Sequence, residues 1–561
     1  MPHSDRLVPA LADTLREGYT LSHLRRDAIA GLTVAIVALP LSMAIAIASG
    51  GTPAMGLYTA IVGGFVISAL GGSRFQIGGP AGAFIVLVAA TVADYGVEGM
   101  MLATMLAGVI MAALGVLRLG GYIRFIPYPV TVGFTAGIGV IIFSSQIKDL
   151  LGLTLAGPEP GPILEKLPAI WAALPTANPE TVVLAAATIA MILGFKALAP
   201  RLPNLLIAVA VTTAAAALLN LDTPTIVSTF GEVPRGLPWP TLPPMSLDLA
   251  VAVLPNAVGF ALLGSIEALL SAVVADSMSG RRHRSNMELV AQGVANLASA
   301  VMGGMVATGT IARTATNVRA NAHGPVAGML HALFVLAFML VAAPLVGLIP
   351  LAALAGVLAT VAWNMIERHA IATLVRTSRG DTAVLAVTLL LTVFRDLTEA
   401  IVVGFALGSV LFIHRMSQSA DVAALVPEEG EDEEKPGIGR ADDILVYRIR
   451  GAFFFGAAAS VGAVLERIAD THRALVVDFS QAAMVDSTAI RTIEGLVANA
   501  QRRGVAVVLA GLEPDVERRL AAHGVCPPGI TLAPNAAAGV AAMRRDLMHS
   551  DAQGAAPLPA S

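Results

Sequence analysis

Long hydrophobic stretches recur along most of the chain and are separated by short polar connections. Within each stretch the apolar residues are continuous rather than alternating, which predicts transmembrane helices and not the strands of a β-barrel. Fourteen such segments are predicted, at residues 28–49, 55–70, 79–93, 100–117, 129–147, 181–198, 205–219, 249–276, 289–302, 306–319, 325–346, 348–363, 381–394 and 398–414. The pattern therefore predicts a polytopic α-helical membrane protein.

The positive charges of the connections are distributed asymmetrically. Connections after even-numbered segments carry most of them: Arg74, Arg118, Arg124, Lys196, Arg201, Arg281, Arg282, Arg284, Arg368, Arg376, Arg379 and Arg415. The opposite connections carry Lys148, Lys166, Arg235 and Arg395. Because positive residues favour the cytoplasmic side, fourteen segments with both termini in the cytoplasm are expected. Residues 1–27 form a cytoplasmic arm, since they lack the apolar core of a signal peptide.

The fourteen segments divide into two sets of seven, at about residues 28–219 and 249–416, around a Pro-rich stretch. The third segment begins with QIGGPAGAF at residues 76–84, and the tenth contains VATGTIARTATN at residues 306–317. Each is glycine-interrupted and too polar for a straight span. Broken helices at matching places indicate an inverted repeat, a common plan for secondary transporters. Two helix N-termini near the membrane midplane would together favour an anion.

The pattern changes after the last hydrophobic segment. Residues 417–440 are acidic and contain Pro and Gly, which predicts a solvated linker. Strand-like and helix-like stretches then alternate over residues 441–545, including a helix-like stretch at 457–469, and predict a small α/β domain. Residues 546–561 are expected to be a disordered tail.

Composition excludes several classes of protein. Of the 561 residues, 56% are hydrophobic and only 13% are charged, and the net charge of -4 argues against a nucleic-acid surface. The single cysteine leaves no intrachain disulfide and no cysteine cluster for a metal. No phosphate-binding loop, metal-protease motif or nucleophile elbow is present, so the chain is not expected to be an enzyme or to need a cofactor. Uphill transport would then depend on an ion gradient or on exchange.

Polar residues inside the hydrophobic segments are the candidate functional groups. Arg313 either meets an anion or extends to the membrane surface from a helix end. Glu267, deep in the eighth segment, either carries a proton or pairs permanently with Arg313. Ser271 lies on the same helical face as Glu267, and with freed carbonyls at Thr308 and Gly309 the pair could coordinate sodium. His331 is expected to be a core histidine with satisfied hydrogen bonds.

Several motifs together resemble the SulP (sulfate permease) anion transporters that carry a cytoplasmic STAS domain. They are RDAIAGLTVAIVALPLSMAIAIASG (26–50), GLYTAIVGG (56–64), GGSRFQIGGP (71–80), GSIEALLSAVVADSMSG (264–280), IARTATNVRANA (311–322) and, in the soluble part, DFSQAAMVDSTAI (478–490). The resemblance covers nearly the whole chain.

The resemblance implies a seven-plus-seven inverted repeat, divided into a core and a gate domain that move against each other as an elevator. It also implies a homodimer in a bacterial inner membrane. The anion would lie between two helix N-termini, with Ile45 of the first segment closing the pocket. Its contacts would be Ala81, Gly82, Ala83 and Phe84 on one side and Thr310, Ile311, Ala312 and Arg313 on the other. Glu267 matches the acidic position that the family links to cation coupling.

One departure bears on the substrate. Many sulfate-type members read PQSMAYA in the first segment, whereas this chain reads PLSMAIA at residues 40–46. The loss of a polar and an aromatic group argues against sulfate. Together with SIEALLSAVVADSMSG (265–280) and IARTATNVRA (311–320), PLSMAIA resembles the bacterial C4-dicarboxylate transporters of the family (DauA type), which implies succinate, fumarate or aspartate as substrate. Glutamate at position 267, where the sodium-dependent bicarbonate carriers resemble aspartate, favours protons as the coupling ion. The alternatives are a sodium-coupled bicarbonate or sulfate carrier and, in another class, a passive anion channel or a membrane sensor with STAS output.

In STAS domains the matching loop includes a phosphorylatable hydroxyl, and here, in the run Asp486-Ser487-Thr488-Ala489, Thr488 holds that place. Ser487 and Thr488 would regulate the domain or bind a cytoplasmic partner. Alternatively, the run only caps the helix that follows, with the N-cap at Asp486 or Ser487.

Overall fold

The computed structural model describes residues 7–121, 127–157, 159–199, 203–232, 234–395, 397–418, 421–425, 444–455 and 473–554. The chain divides into two compact units, Met1–Ala406 and Leu407–Ser561. Each unit is described by itself. The predicted helix-like stretch at 457–469 and most of the predicted acidic linker lie outside the described residues.

The first half of the membrane unit contains the first seven predicted segments as helices. The first of them begins at Leu21, seven residues before the predicted start, because the Thr20 side chain caps it by accepting the His23 amide. The third and fourth segments form one helical run that is interrupted at Gly96. The helices are α1 (Ala10–Arg16), α2 (Leu21–Ala48), α3 (Pro53–Tyr58), α4 (Gly64–Leu70), α5 (Ile85–Val116), α6 (Tyr128–Leu151), α7 (Ile163–Ala173), α8 (Pro179–Leu198) and α9 (Asn204–Leu218). A π-helical turn, Thr59–Gly63, joins α3 to α4.

The second half contains the other seven segments. Segment ten is the shortest, because its helix begins only after a short strand. The helices are α10 (Ile226–Phe230), α11 (Leu247–Ser279), α12 (Ser285–Val301), α13 (Ile311–Arg319), α14 (Val326–Gly347), α15 (Leu351–Met365), α16 (Arg368–Thr377), α17 (Arg379–Phe394) and α18 (Leu397–Gln418). The polytopic helical fold is thereby confirmed. The short helices α7, α10 and α16 lie between segments, where the sequence predicted only connections.

The helices of the membrane unit pack in two groups. In one group α5 packs against α11 and α12, and α14 packs against α2 and α4. In the other, α6 packs against α15 and α17, and α8 packs against α9 and α15. Helix α13 lies in the first group, against α2 and α11. This division places both broken segments on the same group of helices.

Buried polar contacts fix the connection that leads from α4 into the first broken segment. The carboxylate of Glu288, in the first turn of α12, accepts the backbone amides of Gly72 (2.9 Å) and Ser73 (3.0 Å). Beside it Arg74 pairs with Glu17, and this bond holds the pKa of the Glu17 carboxyl below its usual value. Charged hydrogen bonds to buried groups are strong, so the connection has a fixed path into the segment.

The second unit contains a five-stranded sheet of order β3-β4-β5-β6-β7, in which only β3 and β4 are antiparallel. Its strands are β3 (Asp421–Leu425), β4 (Ile444–Phe453), β5 (Ala474–Val485), β6 (Ala506–Ala510) and β7 (Thr531–Ala533). Its helices are α19 (Ser487–Arg502), α20 (Pro514–Ala522) and α21 (Ala536–Gly554). Apolar side chains cover both faces of the sheet, as the sequence pattern predicts for a small α/β domain.

Two predicted boundaries of this unit are wrong. Strand β3 lies inside residues 417–440, which were predicted as linker, because its pairing with β4 extends the sheet. Helix α21 continues to Gly554, past the boundary predicted at residue 545. Its alanine-rich sequence has a high helix propensity, which the prediction of disorder did not weigh.

We expect Asp478→Asn to destabilise the second unit by about 1–3 kcal/mol. Asp478 is buried in β5, where burial alone would raise its pKa. Hydrogen bonds from Ser480 and from Arg448 (2.7 Å) outweigh burial and lower the pKa. The ionised Asp478 carboxylate therefore stabilises the unit above about pH 4, the usual pKa range of an aspartate. This stabilisation is lost as the pH falls further and the carboxylate becomes protonated.

Hydrogen exchange of β5 in the full chain measures this effect. Asp515→Asn is the control, because Asp515 is exposed and pairs only with arginines of its own helix. If the amides of β5 exchange equally slowly in wild type and Asp478→Asn, from neutral pH to below about pH 4, the hydrogen bonds to Asp478 do not contribute to the stability of the second unit.

Candidate anion site

The two broken segments meet at a short antiparallel pair of strands inside the membrane unit. Strand β1 (Gly78–Gly79) pairs with β2 (Thr308–Gly309), with Gly78 opposite Gly309 and Gly79 opposite Thr308. The Thr310 amide donates to the Ile77 carbonyl (3.0 Å) and extends the pair. All four strand residues are buried. Backbone groups of the two polar lead-ins are thus paired with each other inside the membrane unit.

Helices leave this pair in opposite directions, because the strands are antiparallel. Ala81, in extended conformation, precedes a 3-10 turn at Gly82–Phe84 that continues into α5. Thr310, also extended, precedes α13. The first N–H groups of a helix have no acceptor within the helix and carry the positive end of its dipole. Both sets of free N–H groups are therefore held beside the strand pair.

Arg313 projects from the first turn of α13 into this region and is only 2% exposed. Its Nη2 donates to the Ser42 hydroxyl (3.1 Å) and to the Pro80 carbonyl (3.2 Å). Its Nε and Nη1 have no hydrogen-bond partner in the described part of the chain. The surface-extending alternative for Arg313 is wrong, because that conformation would expose the guanidinium. A buried cation with two open donor nitrogens is costly without an anionic partner.

Two glycines make the close approach of the segments possible. A Cβ on Gly309 would overlap the Gln76 amide, and a Cβ on Gly79 would overlap Nη1 of Arg313. Gly79 also has φ +152°, a conformation that favours glycine. The glycine interruptions in the sequence are thus required by space as well as by backbone conformation.

The predicted site residues form one packed wall and one open edge. Ile45, Ala81, Ala83 and Phe84 are buried, with Phe84 packed edge-on against Phe260. Gly82 is half-buried, and Ile311 and Ala312 are exposed. The first turn of α13 therefore borders open space, while the opposite wall is apolar.

Glu267 faces a different part of the membrane unit. It lies in a small cleft between α11, α6 and α18, which is lined by Thr131, Thr135, Phe134 and Ile401 among others. No ion pair or hydrogen bond of the Glu267 carboxylate is found within the described ranges, so the predicted alternative of a permanent pair with Arg313 is wrong. The carboxylate is placed where one group of helices faces the other.

The residues predicted to coordinate sodium are held by protein contacts of their own. Ser271 donates its hydroxyl to Thr314 (2.9 Å), and Thr308 donates its hydroxyl to the Gly264 carbonyl (3.0 Å). Among the described residues, no side-chain hydrogen bond joins Glu267 to Ser271, Thr308 or Gly309. The bonds instead tie α11 to α13 and β2.

Sequence reasoning missed several polar residues around the site. The Ser42 hydroxyl accepts a hydrogen bond from Arg313, and the Thr314 hydroxyl accepts one from the Ile77 amide. Gln76 and His331 are buried, and neither has a hydrogen-bond partner for its side chain in the residues that the structure describes. The expectation that His331 is satisfied is therefore wrong. The usable signal was the polarity of these residues inside apolar segments.

The STAS candidates lie at the start of α19. Asp486 is the N-cap, and its carboxylate accepts the Ala489 amide (2.8 Å). The predicted cap at the start of this helix is thus confirmed at Asp486, whereas Ser487 and Thr488 are exposed. Their hydroxyls are accessible, and their regulatory role stays a prediction.

Comparison with known proteins adds independent information. Residues 24–388 match the sequence profile of the Sulfate permease family, and residues 435–535 match the STAS domain. YvdB of Bacillus subtilis (strain 168), provisionally named a sulfate transporter, is 38% identical over 91% of this chain and 95% of its own length. The bicarbonate transporter BicA of Synechocystis sp. is 31% identical over 89% of this chain and 90% of its own.

Solved structures agree with the fold. The murine anion transporter Solute Carrier 26 family member A9 superposes with a TM-score of 0.83 at 20% identity, covering 96% of this chain and 94% of that one. The transmembrane domain of a cyanobacterial bicarbonate transporter BicA superposes with a TM-score of 0.61 at 31% identity, covering 68% of this chain and 98% of that one.

Proposed function

The chain belongs to the sulfate permease family and is a membrane anion transporter, and we propose that it carries C4-dicarboxylates such as succinate, fumarate or aspartate together with protons. The observation that carries this proposal is the buried guanidinium of Arg313, whose Nε and Nη1 are open beside two helix N-termini. A carboxylate presents two oxygens to a guanidinium in matching geometry. Binding there would satisfy the open nitrogens.

The apolar wall supports a substrate with a carbon skeleton. Ile45 and Phe84 are 2% and 0% exposed, and Ala81 and Ala83 are also buried. Burying the methylene groups of a dicarboxylate against such a surface is favourable in free energy. Sulfate would instead lose its hydration on every side, and each of its oxygens would need a hydrogen-bond donor. The names of the relatives make sulfate and bicarbonate the alternatives to test.

A ligand-protection panel decides between these substrates. Purified protein is heated with succinate, fumarate, aspartate, sulfate or bicarbonate, and the anion that binds the folded form raises the unfolding temperature. The proposal expects protection by the dicarboxylates at lower concentration than by sulfate or bicarbonate. Protection by sulfate or bicarbonate alone would overturn the proposed substrate class and leave an inorganic-anion carrier.

For coupling, we propose that Glu267 carries the proton across. A carboxylate in the cleft between α11 and α6 resists burial while charged and is accommodated once neutral. Neutralisation would let the helix group that holds the anion slide past α6, in the manner of an elevator. Sodium at Glu267 and Ser271 is the alternative, and uptake under an imposed sodium gradient tests it.

Glu267→Gln is expected to abolish uphill uptake of labelled succinate into proteoliposomes with an acidic exterior, while binding is retained. Glutamine keeps the volume but cannot release a proton, so concentrative uptake should fall to the level of empty liposomes. Glu98→Gln, an exposed acid of α5, is the control. Uphill uptake by Glu267→Gln at the wild-type rate would refute the role of Glu267.

The proposed setting of the transporter follows from its family and its charge pattern. We propose a homodimer in the bacterial inner membrane with both termini in the cytoplasm. The asymmetry of Lys and Arg among the connections supports this orientation. The STAS domain is proposed to receive a regulatory input from a cytoplasmic protein through the exposed hydroxyls of Ser487 and Thr488.

A further inference from the structure

His331 is a buried titratable group that the proposed transport cycle does not use. It lies in α14 and is 0% exposed, and neither of its ring nitrogens has a hydrogen-bond partner among the residues described. Its backbone packs closely on Gly31 of α2. One turn earlier, Gly328 of α14 packs on Ser68 and Ile77. His331 therefore lies on the face of α14 that meets α2 and the segment leading into β1.

Ile77 connects the His331 face of α14 with the surroundings of Arg313. Gly328, on that face, packs on the Ile77 side chain, and the backbone of Ile77 is hydrogen-bonded to Thr310 and Thr314, which flank Arg313 in the sequence. Helix α14 also packs against α2, α3, α4, the π-helical turn and α10. Apart from Tyr58, the sequences of α3, α4, the turn and α10 contain no titratable residue. The titratable residues of α2 are His23, Arg25, Arg26 and Asp27, all in its first two turns.

Asp27 is the nearest acid of α2, one turn before Gly31, and it is already engaged. Its carboxylate accepts the amides of His323 and Gly324 (3.1 Å) and the Tyr19 hydroxyl (2.7 Å). The carboxylate is therefore held at residues that precede α14, about two helical turns before His331. The charge balance around His331 depends on Arg313 and on whatever anion Arg313 holds.

His331 and Arg313 both have buried nitrogens without a described partner, and both lie near Ile77. A proton on His331 would add a second positive charge to this region of low dielectric, which is unfavourable while the site is empty. An anion on Nε and Nη1 of Arg313 reverses the sign of this interaction. Proton binding and anion binding then favour each other, and linkage makes the effect reciprocal.

We propose that His331 is a second proton-binding site, and that an anion arriving at Arg313 is accompanied by a proton at His331. The inference rests on the proposed binding of an anion at Arg313 and is separate from the role of Glu267. Glu267 controls the movement of the helix group, whereas His331 controls anion affinity. A proton at each site would give the cycle two points of coupling.

Titration calorimetry tests this with succinate and, separately, with sulfate, which does not titrate near neutral pH. Each anion is titrated into purified protein at about pH 7 in two buffers of different ionisation enthalpy, which reports protons taken up on binding. Wild type should take up a proton fraction approaching about one, and its affinity should fall as the pH rises, by at most about tenfold per pH unit.

Variants assign the proton to its residue. His331→Gln and His331→Asn should bind with little proton uptake and a flattened pH dependence. His323→Gln, at a histidine outside the membrane segments, is the control and should keep the wild-type proton uptake. Proton uptake retained in both His331 variants overturns the proposal, as does a wild-type affinity that is independent of pH.

The two proposals fail in different ways. Binding of sulfate but not succinate, with proton uptake that depends on His331, removes the dicarboxylate assignment and leaves the His331 site standing. Binding of succinate without proton uptake removes the His331 site alone. Absence of binding by either anion removes both.

Discussion

Arg313→Ala is expected to lower anion affinity by about 100-fold, equivalent to about 3 kcal/mol. Arg313 supplies the buried positive charge between the two helix N-termini, and its Nε and Nη1 are the open donors of the site. Arg313→Lys should recover only part of the affinity, because an ammonium keeps the charge but cannot bind a carboxylate with two parallel bonds. Calorimetric titration of succinate measures both variants.

Arg319→Ala is the matched control. Arg319 belongs to the same helix, but it is exposed in the last turn of α13. Its removal should leave the affinity within about twofold of wild type, as expected for a solvent-exposed charge. An equal loss of anion affinity in both variants, or no loss in Arg313→Ala, would mean that Arg313 stabilises the fold and does not bind the anion.

Gly309→Ala is expected to cost about 2 kcal/mol or more of stability and to abolish transport. The added methyl would overlap the Gln76 amide, which is itself buried, and overpacking of this kind displaces the backbone. Displacement of β2 would separate it from β1 and misalign the first turn of α13. Thermal unfolding in detergent and succinate uptake measure the two effects. Gly194→Ala in α8, where a Cβ meets open space, is the control and should be neutral.

A double-mutant cycle separates overlap from backbone strain. Removing the amide in Gln76→Ala should restore stability to Gly309→Ala, because the two side chains compete for one space. Gly79→Ala should not be rescued in this way, since Gly79 has φ +152° and would be strained in any surroundings. Additive effects of Gly309→Ala and Gln76→Ala would show that the overlap is not the cause.

The fold was largely predictable because bilayer thickness fixes the length of an apolar helix. All fourteen predicted segments correspond to helical segments of the structure. The errors lie where another interaction dominates: Thr20 extends α2 beyond the apolar stretch by capping it, and β3 forms only because β4 offers an edge. Neither contact follows from local hydropathy.

The site was predictable as two segments but not as side-chain contacts. Glycines next to polar residues indicated where helices break, so Gly79 and Gly309 were within the predicted segments. The sequence could not show that Glu267 faces α6 and not Arg313. The spacing of residues along α11 shows which of them share a helical face, but not which helix packs against that face. His331 was misjudged for the same reason: its lack of a partner is a property of α2 and the segment before β1.

The most direct test of the anion site at Arg313 is a pair of cryo-electron microscopy maps, with and without saturating succinate. The difference density is predicted to lie at Nε and Nη1 of Arg313, between the first turn of α13 and the Gly82–Phe84 turn. Density in the cleft at Glu267, with none at Arg313, would contradict the account.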